Sequence, residues 1–224
     1  QEESREIKDL TKSEFKTILF PNGIWKNPKK EISYEKFNKI SNLKIPSRYI
    51  LFVGRLSIIK GPDLLLEAYL KSKIKQDYSL IFAGPDDHMQ KKMINYMETH
   101  QDNKKILFLG SISSKDRDIL MKNAVLTVIP SRKEAMSMVA LETSLVGTPF
   151  LATKFCGLDD FKENKSGYIC NGDTKSITNA LDKLLKDVDS LNEVGNNAKK
   201  YVLSFYAWES IIEKMNSFLK KSIN

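Results

Sequence analysis

The chain has 224 residues, 41% hydrophobic and 29% charged, the balance of a globular protein able to bury a sizeable core. A formal net charge of +8 favours anionic partners, but the lysines are scattered and often lie next to Asp or Glu. No basic stretch is interleaved with aromatics, so nucleic acid is not an expected partner.

No apolar run approaches the roughly 18 residues of a membrane helix, and no signal-peptide pattern opens the sequence. The two cysteines, Cys156 and Cys170, stand in no metal-ligand spacing, which predicts structural thiols and a reducing, cytoplasmic setting. His88 and His100 lie among polar residues and carry no catalytic or metal expectation. The start, "QEESREIKDLTKSEF", is polar and lacks Met, so residues 1–20 read as the lead-in of a longer chain.

Five short apolar runs then recur, each followed by a helix-like segment. "RYILFVGRL" precedes "KGPDLLLEAYLKSK", "YSLIFAGP" precedes "HMQKKMINYMETH", and "KKILFLGS" precedes "SKDRDILMKNA". "VLTVIPS" leads into the apolar helix of "PSRKEAMSMVALETSLVGTP", and "TPFLATKF" leads through a loop to "TKSITNALDKLLKD". Near-continuous Ile, Leu, Val and Phe is what strands covered on both faces require. The alternation predicts an α/β fold, a Rossmann-like open parallel sheet with helices on both faces. The tail from residue 206 to 224 reads as an amphipathic helix, with Trp208, Ile211, Ile212, Met215, Phe218 and Leu219 on or near one face. Packing on a domain is its expected role; membrane contact through Lys220 and Lys221 is the alternative.

In such sheets ligands bind beyond the carboxyl ends of the strands. The exits to inspect are Gly54-Arg55, Gly84-Pro85-Asp86, Gly110-Ser111 and Pro130 to Glu134. Arg55 and Lys60 flank the first exit and can present a planar fork and a point charge to a diphosphate, unless both are solvated loop charges. A helix starting near Met136 to Met138 would turn its unpartnered amides toward the same cleft. Carried back as one helix, that segment offsets Glu142 from Glu134 by about 80° and a rise of roughly 12 Å. Glu142 then reads either as an acceptor for ribose hydroxyls or as a helix-edge residue touching solvent.

Paired-carboxylate glycoside hydrolysis is disfavoured, because one rigid helix cannot set two carboxylates on opposite sides of a sugar. Asp86-Asp87 reads as a helix cap rather than a metal site. No G-x-G-x-x-G follows a predicted strand, which disfavours a nicotinamide-dependent dehydrogenase.

Six segments in order, "PNGI", "VGRLSIIKG", "LIFAGPDD", "ILFLGSIS", "PSRKEAMSMVALETSLVGTPFLAT" and "CGLDDF…SGYIC", resemble the C-terminal, donor-binding domain of retaining GT-B glycosyltransferases of family 4. The resemblance runs from about Pro21 to Trp208. It implies a nucleotide-sugar-binding domain over 21–205 that transfers a sugar, with retention, from a UDP- or GDP-type donor to a hydroxyl of a glycan, polysaccharide or glycolipid. Arg55 and Lys60 match the pair that neutralises the diphosphate. Glu134 matches the residue contacting the transferred sugar or its phosphate, and Glu142 the ribose ligand. Amides of Met136, Ser137, Met138 and Val139 would complete the phosphate cradle. Gly54 belongs to the first strand exit, and Gly110, Ser111 and Ile112 to the exit bordering the base.

No metal or cofactor is implied, since the protein supplies the cations. The acceptor would sit on an N-terminal domain, and the family's work at membranes adds an expectation of peripheral contact with an anionic inner face. Ala135-Met136-Ser137 departs from the family's Gly-aromatic-Gly pattern and would narrow the sugar's space. That departure, together with a donor domain read as standing alone, motivates a second reading, a non-catalytic sugar-nucleotide-binding module acting as a partner or regulator. Either way, the isolated domain is expected to have little or no transferase activity.

Overall fold

The computed structural model describes residues 20–26, 45–99 and 105–223. His100 and the lead-in up to residue 19 lie outside them. In chain order the elements are β1 (Tyr49–Val53), α1 (Pro62–Lys71), β2 (Ser79–Ala83), α2 (Gln90–Glu98), β3 (Ile106–Phe108) and α3 (Ser114–Asn123). There follow β4 (Leu126–Ile129), α4 (Met138–Leu145), β5 (Phe150–Thr153), α5 (Asp159–Glu163), β6 (Tyr168–Cys170), α6 (Thr174–Leu184), α7 (Val188–Phe205) and α8 (Trp208–Ile223). The five predicted runs all form strands. The three-residue strand β6 and the five-residue helix α5, both where a loop is expected, and the 18-residue helix α7 are additions to that reading.

All pairings are parallel and the strand order is β3-β2-β1-β4-β5-β6. Side chains alternate across the sheet, so each face receives every second residue. Ile50 and Phe52 of β1 join Leu80, Phe82, Leu126 and Val128 beneath α1, α2 and α6. Tyr49 and Leu51 join Ile81, Ile119, Leu120 and Met121 on the opposite face, under α3. Ile129, Phe150 and Ala152 meet Leu141 of α4, Phe161 of α5 and Val202 of α7. With both faces covered, alternation of polar and apolar residues is unnecessary, which explains the unbroken apolar runs.

The order reverses between β1 and β4: the chain runs outward from β1 through β2 to β3, then returns to start β4 on β1's other side. A crevice outside the carboxyl ends of β1 and β4 follows from that reversal alone, because the connections leave these two neighbours toward opposite faces.

The "PNGI" segment lies at the junction of α7 and α8. Ile24 N–H donates to Tyr206 O at 2.8 Å and Trp208 N–H donates to Ile24 O at 3.1 Å. Helix α8 forms as predicted, with Ile211 buried against the body. Ile212, Met215 and Leu219 remain exposed, so its apolar face is only partly covered by the described residues.

Candidate functional site

The β1–α1 loop and the β4–α4 loop face each other across the switch point, and two glycines set how closely they approach. Gly61, the residue before α1, has φ +67°, and a Cβ there would lie 2.1 Å from Pro130 O at the end of β4. Gly157, after β5, has φ +64°, and a Cβ there would lie 2.0 Å from Ala135 O. Neither contact nor either dihedral suits another residue. The β4–α4 loop is thus held between its neighbours, with Glu134 N–H donating to Phe155 O at 2.9 Å and Ser137 N–H donating to Cys156 O at 3.0 Å.

These restraints deliver Glu134 to Lys60. Lys60 Nζ stands 3.0 Å from Glu134 Oε1, whose side chain is only 10% exposed. Ser131 Oγ also donates to that oxygen. Arg132 fastens the two loops from outside: its guanidinium bonds both Asp63 oxygens, at 2.9 and 2.6 Å, and Ile58 O at 2.5 Å. Such a fork-to-fork pair fixes orientation as well as charge. Arg132 was not among the predicted site residues; its position two residues before Glu134 gives no hint of a partner on α1.

Arg55 leaves β1 just after Gly54, on the same side of the sheet, but is less engaged. Its guanidinium is 3.5 Å from Asp87 Oδ2 and the side chain is 67% exposed. It is available to an anion without breaking a buried contact. Asp86 Oδ1 accepts from Met89 N–H at 2.9 Å and Gln90 N–H at 2.8 Å, so it caps the start of α2 as predicted.

Helix α4 begins at Met138, the late end of the predicted window. Glu134 therefore lies in a loop, and the helical offset expected between the two glutamates does not describe them. The objection to paired-carboxylate hydrolysis changes its basis accordingly: each carboxylate is paired with a different cation, Glu134 with Lys60 and Glu142 with Arg117.

The N-terminal turn of α4 has no side-chain cap. Ser137 sits at the cap position, yet its hydroxyl is buried and makes no hydrogen bond among the described residues. Its amide is already used by Cys156 O, which corrects its assignment as a phosphate donor. Met138 and Val139 are the first helical residues, where amides lack intrahelical partners and the dipole end is positive. By contrast α3, α6 and α7 are capped by Ser113, Asp173 and Asp187. Met136 packs on the core cluster under α4 and α5, and Ser137 is buried. Both side chains are thus occupied inside the fold, contrary to the expectation that they narrow the sugar's space.

Glu142 lies one turn further along α4 and turns toward α3, where Arg117 Nη2 is 2.9 Å from its Oε1. Burial pushes the Glu142 carboxyl above the usual range; Arg117 opposes the shift and Asp118 adds to it. At the β3 exit, Gly110 has φ +64° with open space where a Cβ would go, Ser111 is exposed, and Ile112 packs on the same cluster as Val139. Ile112, in the loop after β3, and Val139, in the first turn of α4, thus belong to one apolar cluster. The Asp-x-Asp tripeptides 116–118 and 187–189 serve helix starts: Ser113 Oγ bonds Asp116, and Asp187 accepts from Ser190 N–H at 3.0 Å.

The family model for "Glycosyl transferases group 1" matches residues 33–201. The chain belongs to this family. An uncharacterised glycosyltransferase of Methanocaldococcus jannaschii is 32% identical over 213 residues, covering 90% of this chain and 53% of that protein. Sucrose-phosphate synthase from Thermosynechococcus elongatus superposes with a TM-score of 0.78 at 22% identity, over 99% of this chain and 56% of that one. Anabaena HepE, solved in complex with UDP and glucose, superposes with a TM-score of 0.75 at 19% identity, over 90% and 56%. These structures share the fold of this glycosyltransferase domain, and the chain spans about half the length of the relatives it matches. Among the described residues no helix is long and apolar enough to cross a membrane.

Proposed function

We propose that this glycosyltransferase domain binds the nucleoside-diphosphate sugar of a hexosyl transfer that proceeds with retention and without a metal. The observation that carries the reading is the Lys60–Glu134 pair beside the uncapped start of α4, at the strand-order reversal. The diphosphate is placed against the amides of Met138 and Val139, between Lys60 and the exposed Arg55. As the glycosidic bond breaks, negative charge gathers on the leaving diphosphate. Fixed cations and helix amides stabilise that charge without reorganising, the effect that commonly dominates such catalysis. Glu134, oriented by Lys60 and Ser131, is placed at the transferred sugar, and Glu142 at the ribose. The relative solved with UDP and glucose supports a uridine donor. The acceptor, a glycan, polysaccharide or glycolipid hydroxyl, belongs to the cleft with a further domain of the complete enzyme.

The alternative, a non-catalytic binding module, drew on the Ala135-Met136-Ser137 departure. The inward packing of Met136 and Ser137 weakens that motive. Calorimetry of this chain with UDP, GDP and ADP tests the site: saturable binding of UDP or GDP that is weakened in Lys60→Met is expected. Equal silence toward all three nucleotides contradicts the assignment.

A further inference from the structure

Arg117 occupies an unfavourable place for a cation. It is the fourth residue of α3, near the positive end of that helix dipole. Its Nε is buried without a hydrogen-bond partner among the described residues, and the Asp118 carboxylate is 3.9 Å from it. What its position gains is Glu142: the guanidinium reaches across from α3 to α4 and stands 2.9 Å from a carboxylate whose side chain is 23% exposed.

No amide or hydroxyl of the described residues hydrogen-bonds the Glu142 carboxylate, so Arg117 alone neutralises it. α4 packs against α3, α7, β4 and β5, and the charges acting on Glu142 come from α3: Arg117 as counter-ion and Asp118 as a like charge. A partly buried carboxyl facing another carboxylate is pressed toward its protonated form, and a nearby cation reverses that pressure. Only the ionised form offers all its lone pairs as acceptors, as a grip on two hydroxyls requires.

We propose that Arg117 is a positioning residue for donor binding: through its ion pair with Glu142 it keeps that carboxylate ionised and turned toward the ribose hydroxyls. The inference rests on the donor reading given above for Glu142. It assigns Arg117 no contact with the donor; the guanidinium acts on one oxygen of Glu142 and leaves the remaining acceptor sites to the ribose. A competing arrangement, in which Arg117 occupies the ribose's place and must be displaced, predicts the opposite sign when the residue is removed.

The test combines two measurements on the whole chain carrying Arg117→Met, Arg117→Lys or Glu142→Ala. The first is a direct ¹³C titration of the Glu142 carboxyl in the ligand-free protein, by difference against Glu142→Ala. Arg117→Met raises its midpoint by about one pH unit or more, and Arg117→Lys restores most of the original value. The second is calorimetry with UDP-glucose from pH 5 to pH 8.5, a probe whose diphosphate has no proton to lose there. In the parent, affinity rises with pH as Glu142 ionises. In Arg117→Met the rise is displaced to higher pH, with a loss that approaches about tenfold at pH 5 for a one-unit displacement and closes by pH 8.5.

An unmoved Glu142 midpoint overturns the proposal, as does affinity equal to or above the parent's across the range. A loss of the same factor at every pH also overturns it, because that is the mark of a general structural defect. If Glu142→Ala keeps the parent's pH-dependent binding, the ribose assignment itself is wrong and the proposal falls with it. That result is separable from a failure of Arg117 alone.

Discussion

Gly157 is the most incisive place to perturb the site without touching any group assigned to the donor. A Cβ at this position would stand 2.0 Å from Ala135 O, a backbone atom that can yield only if the β4–α4 loop moves. Gly110 provides an internal reference for stability. Its φ is also +64°, but a Cβ there meets nothing within 4 Å. Both Ala substitutions incur the left-handed cost of about 1–2 kcal/mol. Gly157→Ala adds an overpacking cost of about 1–3 kcal/mol. A difference of about 2 kcal/mol between the variants corresponds to roughly 4–8 °C in melting temperature for a domain of this size. Scanning calorimetry of both variants, followed by UDP titration, is the assay. Gly157→Ala is expected to melt lower and to bind UDP more weakly, because Glu134 and the start of α4 move with the loop. Equal melting temperatures for the two variants, with a UDP affinity of Gly157→Ala equal to the parent's, would refute the claim that this contact sets the site.

Further outcomes follow from individual residues. Lys60→Met removes the cation facing Glu134 and is expected to weaken UDP binding by about 1.5–3 kcal/mol in calorimetry, while also flattening its salt dependence. Burial raises both cysteine thiols, Cys170 to about 12. Native Cys170 should therefore react with a disulfide reagent at pH 8 roughly a thousandfold more slowly than a free thiol, with the difference disappearing in denaturant. On α8, Ile211→Ala should cost about 2–4 kcal/mol in urea unfolding, whereas Ile212→Ser should stay within about 0.5 kcal/mol, since Ile211 is buried and Ile212 is 46% exposed.

The sheet was legible because double-sided burial writes itself as continuous apolar runs, and β1 to β5 were each found that way. β6 escaped because Tyr168–Cys170 is short and half-buried at the sheet edge. Helix α7 follows no strand, so the strand–helix alternation does not announce it, and Gly195 within it disfavours a helical reading. Gly195 is instead a close contact, where a Cβ would lie 2.3 Å from Gly147 O.

Lys60 and Glu134 could be singled out one at a time from strand exits and motif order. Their meeting depends on β1 lying beside β4, a fact of topology rather than of local sequence. The start of α4 was bracketed to three residues, but the location of Glu134 outside the helix was not seen. The reason is that backbone bonds to Phe155 and Cys156, distant in sequence, hold the loop. Arg117 and Arg132 were missed for the same reason. Each acts on a carboxylate of another element, and a charged residue in a polar segment announces no partner. The amphipathic pattern of the tail correctly gave a helix. A pattern records which face is apolar and not how far along the helix that face is covered.

The central claim is tested most directly by a crystal structure of this chain with bound UDP. The account predicts the diphosphate against the amides of Met138 and Val139 with Lys60 and Arg55 beside it, and the ribose hydroxyls on Glu142. UDP seated away from the exits of β1 and β4, or with Lys60 and Glu142 both out of contact, would contradict it.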